Sequence, residues 1–426
     1  METRRVKTNY GIVGLVFLIF FVISLLTNIL GPLLPDLIAG FRLSLGLAGF
    51  LPFSLFFAYG VMSIPSGMLV ERCGERAVIV AAFLVALAGS GAFALVPRFP
   101  AGLASLFLIG IGMAMLQVAI NPLLRAAGGE RHFAFNSVTA QLIFGLASFA
   151  SPRVYVYLVN NLNGYAGGGN PMIAFLARMV PPEMPWVSLY WLFTVVTLTM
   201  ALVSLAARIP SVGFTEQERV GAWATYAILL KDRRVRLYFL GIFCYVGTEQ
   251  GLANWISKFL QTYHGLDPRS IGALVVSAFW GLMTAGCLAG LVLLKVFDSR
   301  AVLVGAAVSA LAALSLALFG TASQSLLAFP LMGLCASVMW SIIFSLALNS
   351  MERHHGNFSG ILCTAVIGGA VVPVVIGWLG DLFGLRQGMT LLYIPLAYIL
   401  SIGFWARPLV SNATIRWKTA EKRATN

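Results

Sequence analysis

The charged stretch Gly67-Met68-Leu69-Val70-Glu71-Arg72-Cys73-Gly74-Glu75-Arg76 lies between two apolar runs, at about 47–70 and 77–96. Each run can cross a bilayer as one helix, because a spanning helix needs about 20 predominantly apolar residues. The charges between the runs indicate a polar loop at the membrane surface. This alternation of apolar run and charged loop continues along the chain, and it predicts a helical protein embedded in a membrane.

The composition of the whole chain agrees with this pattern. Of its 426 residues, 59% are hydrophobic and 10% are charged, against roughly 45–50% and about 25% in soluble globular proteins. The mean hydropathy is +0.90. So few charges cannot cover the surface of a soluble protein of this length, which excludes a soluble enzyme, a disordered chain, a coiled coil and a disulfide scaffold.

Twelve apolar runs have the length of a spanning helix, which predicts an all-α integral membrane protein. The runs are continuous rather than alternating, and they are too long for membrane-barrel strands of about 9–11 residues. The predicted spans one to six cover about 12–34, 47–70, 77–96, 102–124, 134–158 and 187–207, and spans seven to twelve cover about 237–261, 270–294, 301–322, 327–350, 359–380 and 388–409.

The lysines and arginines predict the orientation, because these residues collect in cytoplasmic loops. The chain holds 28 of them and has a formal net charge of +13. We therefore expect a multi-pass protein of the cell inner membrane with both termini in the cytoplasm, and the excess positive charge then reflects orientation rather than nucleic-acid binding. In this orientation seven of the 28 lie outside: Arg42, Arg98, Arg153, Arg178, Lys258, Arg269 and Arg386.

The longest predicted cytoplasmic connection, residues 208–236, divides the spans into six and six. It predicts an N-terminal six-helix bundle at 1–207, a C-terminal six-helix bundle at 237–410 and a cytoplasmic tail at 411–426. Within the connection, Thr215-Glu216-Gln217-Glu218 has the spacing of a capping box. A short amphipathic helix should follow, with Val220, Trp223 and Ala227 on its apolar side.

The charged stretch resembles the loop signature of the major facilitator superfamily, G-x-L-x-D-R-x-G-x-R/K, with Glu71 in place of the aspartate. Two six-helix halves joined by a basic linker are also typical of that superfamily, whose binding sites lie near the membrane midplane between the halves. The resemblance implies that the loop takes part in rocking of the halves. The residues that carry the match are Gly67, Glu71, Arg72, Gly74 and Arg76.

One acidic residue, Glu249, lies halfway along a predicted span. A charge at the bilayer centre costs roughly 2.5–3.5 kcal/mol on insertion scales, so an intramembrane carboxyl usually has a function. Burial favours the neutral form of a carboxyl, which makes exchange of a proton feasible. Two interpretations stay open: Glu249 carries a coupling proton, or it is a hydrogen-bonded glutamate that holds helices together.

Carboxamides recur in several predicted spans and suit a neutral hydroxylated ligand, because each amide offers both donors and an acceptor. Gln117 and Asn121 lie four residues apart and therefore share a helix face. Trp280 and Trp340 either stack on the C–H face of a sugar or simply pack. The predicted substrate-binding residues are Asn28, Gln117, Asn121, Asn136, Thr139, Gln141, Gln250, Asn254, Trp280 and Trp340.

The sequence contains no recognisable catalytic or metal-binding motif. The four histidines, His132, His264, His354 and His355, lie in loops or at their edges and form no HExxH motif. The five cysteines have no paired spacing. We therefore expect no enzyme activity, no metal and no cofactor, and a monomer whose partners are the lipid bilayer and a small molecule.

Several spans resemble the fucose/galactose/glucose symporter family, a fucose-permease-like branch of the superfamily. That family implies a monosaccharide transporter, often proton-coupled, in which Asn28, Gln117 and Asn121 match sugar-site positions. Gly31 and Gln117 stand where family fucose permeases have acidic residues, so proton coupling would fall on Glu249, and uncoupled or sodium-linked transport stays open. The matching stretches are Tyr245-Val246-Gly247, Ile343-Phe344-Ser345-Leu346, Gly368-Gly369-Ala370-Val371-Val372-Pro373 with Gly377 and Asp381, and the segment from Gln117 to Pro122.

The leading hypothesis is a secondary active transporter that moves a small neutral solute, a hexose or deoxyhexose, by alternating access. The 6+6 plan and the amides near the midplane support it. One alternative is an exporter of amphiphilic drugs or metabolites, which would have a wide apolar cavity. Another is a nontransporting sensor built on the same fold.

Overall fold

The computed structural model describes residues 9–129, 133–163, 170–209, 223–351 and 355–409. Every regular element in these ranges is helical. The first half consists of α1 (Tyr10–Thr27), α2 (Leu30–Phe41), α3 (Leu45–Cys73), α4 (Glu75–Leu95), α5 (Phe99–Gly128), α6 (Phe133–Leu162), α7 (Pro171–Met179) and α8 (Val187–Ala206).

The second half follows a short linker helix, α9 (Trp223–Leu229). A π-helical turn, Pro268–Gly272, and a 3-10 turn, Ala365–Ile367, continue directly into the helices that follow them. The helices of this half are α10 (Arg233–His264), α11 (Ala273–Val296), α12 (Ser299–Phe319), α13 (Ala322–Ala336), α14 (Met339–Leu348), α15 (His355–Thr364), α16 (Gly368–Phe383), α17 (Leu385–Thr390) and α18 (Tyr393–Trp405).

Eleven helical segments among the described residues, some made of two consecutive helices, are long and apolar enough to cross a membrane. The predicted span that is absent from these eleven is span seven. The structure places there α10, a helix of 32 residues, which is about 48 Å long at 1.5 Å per residue. Thr248, Glu249 and Gln250 lower the hydropathy at its centre, which explains why α10 is not among the eleven apolar segments. Its length and its place in the bundle make α10 the twelfth crossing helix, and the predicted twelve-helix fold is confirmed.

The two halves repeat one packing pattern. In the first half α3 and α4 pack on α5, α4 packs on α8, and α1 packs on α6. In the second half α11 and α12 pack on α13, α12 packs on α18, and α10 packs on α16. Each pair of spans in the first half thus has a counterpart six spans later, as expected for two related six-helix bundles.

The charged loop and the linker lie at the same end of the bundle, which we call the linker face; the opposite end is the far face. Gly74 joins α3 to α4 with a φ of +79°, a conformation that glycine adopts without a Cβ clash. Arg76 donates a hydrogen bond to the carbonyl of Leu205 in α8. Of the other loop residues, Gly67 is buried while Glu71 and Arg72 are exposed.

The linker helix α9 packs against α15. Its buried side chains are Tyr226 and Leu229. Ala227, which the sequence placed on the apolar side, is exposed, because α9 turns the face that carries Tyr226 and Leu229 toward α15. The capping box and Val220 lie outside the described residues.

Candidate functional site

A cavity of about 500 Å³ lies between the two halves. Its volume falls within the range of about 300–1,000 Å³ that is typical of small-molecule sites. Both halves line it, chiefly through α1, α3 and α6 on one side and α10, α11 and α14 on the other, and α5 adds Gln117. The polar residues of its wall are Thr27, Asn28, Tyr59, Gln117, Ser137, Gln141, Ser148, Tyr245, Glu249, Gln250, Thr284, Ser337 and Ser341.

Contacts between the halves close the cavity toward the far face. The Arg269 guanidinium forms an ion pair with Asp36, with 2.9 Å between Nη2 and Oδ1, and the Tyr155 hydroxyl donates to the same carboxylate. Asp381 at the end of α16 accepts hydrogen bonds from the backbone N–H groups of Leu45 and Gly46, each at 2.8 Å. Two carboxylates therefore join the halves at this end.

The cavity wall continues toward the linker face. Val138, near the start of α6, and Leu291, near the end of α11, both line it. Their side chains are 37% and 50% exposed, so the cavity reaches the exposed surface on this side. Ion pairs and hydrogen bonds thus join the halves at the far face, whereas the cavity extends toward the linker face.

Glu249 lies at the centre of α10 and lines the cavity. The hydroxyl of Tyr245 donates to one carboxylate oxygen at 2.6 Å, and the side-chain amide of Gln250 donates to the other at 3.0 Å. Tyr245 lies one helical turn before Glu249, so both side chains share a face.

A second amide holds Gln250 in place. The side chain of Asn254 donates to the backbone carbonyl of Gln250 at 2.8 Å and to its side-chain oxygen at 3.3 Å. Asn254 is 2% exposed and does not belong to the cavity lining. It therefore acts behind Gln250, as a residue that orients the amide next to the cavity.

The first half supplies three amides to the opposite wall: Asn28, Gln117 and Gln141. Asn28 ends α1, and its side chain donates to the hydroxyl of Ser148 in α6 at 2.8 Å. The interruption between α1 and α2 thus places an amide at the cavity. Gln117 and Gln141 extend from α5 and α6 and retain donors and acceptors for a ligand.

Aromatic rings form the remaining part of the site. Trp340 stacks on Phe344 with 5.9 Å between ring centroids, and it lies 5.9 Å from the ring of Tyr245 in a tilted arrangement. Trp280 also lines the cavity, and its ring N–H has no hydrogen-bond partner among the described residues. The carboxylate of Glu249 thus contacts one ring residue, Tyr245, and one amide, Gln250, in a cavity that two tryptophans also line.

Seven of the predicted site residues line the cavity, and four do not. Asn121 is exposed and donates to the backbone carbonyl of Gln117. Asn136 packs against Gly128, Thr139 donates to the carbonyl of Phe135, and Asn254 lies behind Gln250. The seven that line it are Asn28, Gln117, Gln141, Glu249, Gln250, Trp280 and Trp340.

Several residues of the site were not selected from the sequence. Ser148 and Thr284 line the cavity, but single hydroxyls in apolar helices commonly bond to their own backbone and give no local signal. The far-face residues Asp36 and Arg269 had a detectable signal, since they are opposite charges near the outer ends of spans one and eight. Their pairing across 233 residues of sequence is visible only in the fold.

Comparison with known proteins gives consistent matches over most of the chain. Residues 16–366 match the family model of the Major Facilitator Superfamily. A glucose/galactose transporter of Brucella abortus biovar 1 (strain 9-941) is 28% identical over 415 residues, which cover 94% of this chain and 95% of the relative. The L-fucose-proton symporter of Escherichia coli (strain K12) is 23% identical over 389 residues, 86% of each chain.

The solved structures give the same result at the level of the fold. A crystal structure of the E. coli fucose:proton symporter superposes with a TM-score of 0.66 and 20% sequence identity. The superposition covers 94% of this chain and 100% of that one.

Proposed function

Because the chain belongs to the Major Facilitator Superfamily, we propose that it is a secondary active transporter that carries a monosaccharide across the membrane by alternating access. Its relatives, a glucose/galactose transporter and a fucose-proton symporter, confirm the resemblance that the sequence suggested. Because these relatives are transporters, this chain is a carrier rather than an enzyme. The two bundles, residues 1–207 and 237–410, are the bodies that move against each other about the linker at 208–236.

The observation that carries the proposal is the central cavity, whose two walls present amides and hydroxyls to one another. Asn28, Gln117 and Gln141 line it from the first half, and Gln250 lines it from the second. Hydroxyl groups of a hexose both donate and accept, so paired amide walls satisfy them without a buried polar group left over. The rings of Trp280 and Trp340 cover the apolar face of a sugar.

The orientation proposed from the lysines and arginines places the linker face in the cytoplasm of an inner-membrane protein. In that orientation the cavity is open to the cytoplasm and closed to the outside by Asp36, Arg269 and Asp381. The structure then corresponds to the inward-facing stage of the transport cycle. Return to the outward-facing stage requires these far-face contacts to break and the cavity to close toward the linker face.

Glu249 is the group that we propose for proton coupling. Its carboxylate is held between Tyr245 and Gln250 when ionised. A proton on Oε1 turns that oxygen into a donor opposite the Gln250 N–H, so this amide must turn away, whereas the Tyr245 hydroxyl can accept as well as donate. Gln250 is then free to bond to the sugar, and in this way a proton and a sugar become linked at adjacent residues.

Counterflow in proteoliposomes tests the transport function. Vesicles loaded with unlabelled glucose, galactose or fucose should take up the same labelled sugar transiently, whereas empty vesicles and vesicles without protein should not. Absence of counterflow with every common monosaccharide would remove the sugar from the proposal. Counterflow of a lipophilic dye instead would support the exporter alternative.

The variant Glu249→Gln tests the coupling role. Glutamine keeps the size of the side chain but cannot carry a proton, so we expect loss of accumulation driven by a pH gradient while sugar exchange persists. Glu183→Gln is the matched control, because Glu183 is exposed and lies outside the cavity. Accumulation that is unchanged in Glu249→Gln excludes the coupling role, and accumulation driven by a sodium gradient would assign the coupling to Na⁺.

A further inference from the structure

The cavity has an unbalanced charge. Glu249 is the one residue with a charged side chain among the residues that line it, and no lysine or arginine of that lining compensates it. The two groups that hydrogen-bond to it, Tyr245 and Gln250, are neutral donors. When Glu249 is ionised, the cavity therefore carries a net charge of −1 in a low-dielectric environment.

Aromatic residues lie in the same cavity as this charge. Tyr245 is bonded directly to the carboxylate, and Trp340 lies 5.9 Å from the Tyr245 ring. Trp280 lines the same cavity. The faces of Tyr and Trp rings attract ammonium groups, by about 0.5–1 kcal/mol at exposed sites and more when desolvated, and an ionised carboxylate provides the opposite charge. This combination is typical of a site that binds an ammonium group.

The same cavity therefore combines two kinds of recognition: amides for hydroxyl groups, and a carboxylate with rings for an ammonium group. We infer that the carrier also transports amino sugars, hexoses in which one hydroxyl is replaced by a protonated amine, and that the ammonium group binds at Glu249. The inference rests on the proposed function and specifies its substrate class. The carboxylate and the amides together define the ligand, because a simple amine without hydroxyl groups would leave the amides of the first half without a ligand partner.

The carrier loaded with an amino sugar then has the same net charge as the carrier loaded with a neutral sugar and a proton. With a neutral hexose, a proton neutralises Glu249; with an amino sugar, the ammonium group of the solute does so. Each loaded carrier has the same net charge, and one positive charge crosses with either cargo. Uptake of an amino sugar should therefore respond to membrane potential and need no pH gradient.

The test compares three probes on purified protein by thermal-shift titration: glucosamine in its protonated form, N-acetylglucosamine, which carries a neutral amide at the same carbon, and glucose. We expect glucosamine to bind the wild type more tightly than N-acetylglucosamine. Glu249→Gln should weaken glucosamine about tenfold or more, as for loss of a hydrogen bond between charged partners, and should leave N-acetylglucosamine nearly unchanged. The control Glu183→Gln should leave all three affinities unchanged.

The outcomes separate this inference from the proposed function. If glucose binds but glucosamine binds no better than N-acetylglucosamine, or both weaken equally in Glu249→Gln, the inference is overturned and the sugar transporter stands. If none of the three sugars stabilises the wild type, the inference is overturned; if galactose and fucose also fail to stabilise it, the proposed function fails as well. Potential-driven uptake of labelled glucosamine into wild-type proteoliposomes without a pH gradient supports the inference; uptake that requires a pH gradient overturns it.

Discussion

A close approach of backbone between the two halves predicts how a single added methyl group changes the carrier. Gly31 in α2 faces the backbone of α10 near the far face. A Cβ atom at position 31 would lie 2.0 Å from the carbonyl oxygen of Ala253 and 3.0 Å from its carbonyl carbon. Both atoms belong to the backbone, so no side-chain rotation relieves the overlap in Gly31→Ala.

The size of the effect follows from that distance. Cβ contacts below 3.0 Å essentially do not occur, so the helices must separate by at least 1.0 Å, the difference between 3.0 and 2.0 Å. Overpacking of this kind costs typically about 1–3 kcal/mol. Opening of the far face relieves the overlap, so the far-face-closed population should fall by about 5- to 150-fold relative to the open one.

Distances across the seam between α6 and α11 measure this shift. Spin labels at Asn160→Cys and Leu274→Cys, in a chain without its native cysteines, lie on either side of the seam at exposed positions. Double electron–electron resonance should show longer distances in Gly31→Ala. Gly14→Ala is the matched control, because a Cβ at Gly14 meets nothing within 4 Å. An unchanged distance distribution in Gly31→Ala would refute the reasoning that this contact belongs to one stage of the cycle.

Two further predictions concern the far-face contacts and the support of the site. Asp381→Asn removes the charge that caps the N-terminus of α3 through Leu45 and Gly46. Such interactions contribute about 0.3–1 kcal/mol, so the same spin-label pair should report a shift of about two- to fivefold toward the open far face. A distance distribution identical to that of the wild type would contradict this role. Asn254→Ala frees the Gln250 amide and should weaken sugar binding about fivefold in thermal-shift titrations, as for one lost hydrogen bond. The control Thr139→Ala, at a residue outside the cavity lining, should leave sugar binding unchanged. Equal effects of the two substitutions would show that Asn254 does not orient Gln250.

Some residues of the candidate site can be identified from the sequence, and others cannot. Glu249 is identifiable from the sequence because a carboxyl within an apolar run is anomalous whatever surrounds it. Gln117 and Asn121 share a helix face, yet only Gln117 reaches the cavity, because Asn121 lies one turn nearer the linker face. Thr139 and Gln141 are two residues apart in α6, and the rotation of that helix directs only Gln141 to the cavity.

The sequence by itself determined the twelve spans, the division into two halves and the presence of an acidic group at mid-membrane, because the bilayer acts on each segment locally and selects apolar runs of a fixed length. Only the tertiary structure decided which side chains meet. Asp381 reaches Leu45 across 336 residues, and Asn254 supports Gln250 rather than facing the cavity. Such contacts depend on the rotation and spacing of packed helices, which follow from interactions among many residues and leave no local pattern.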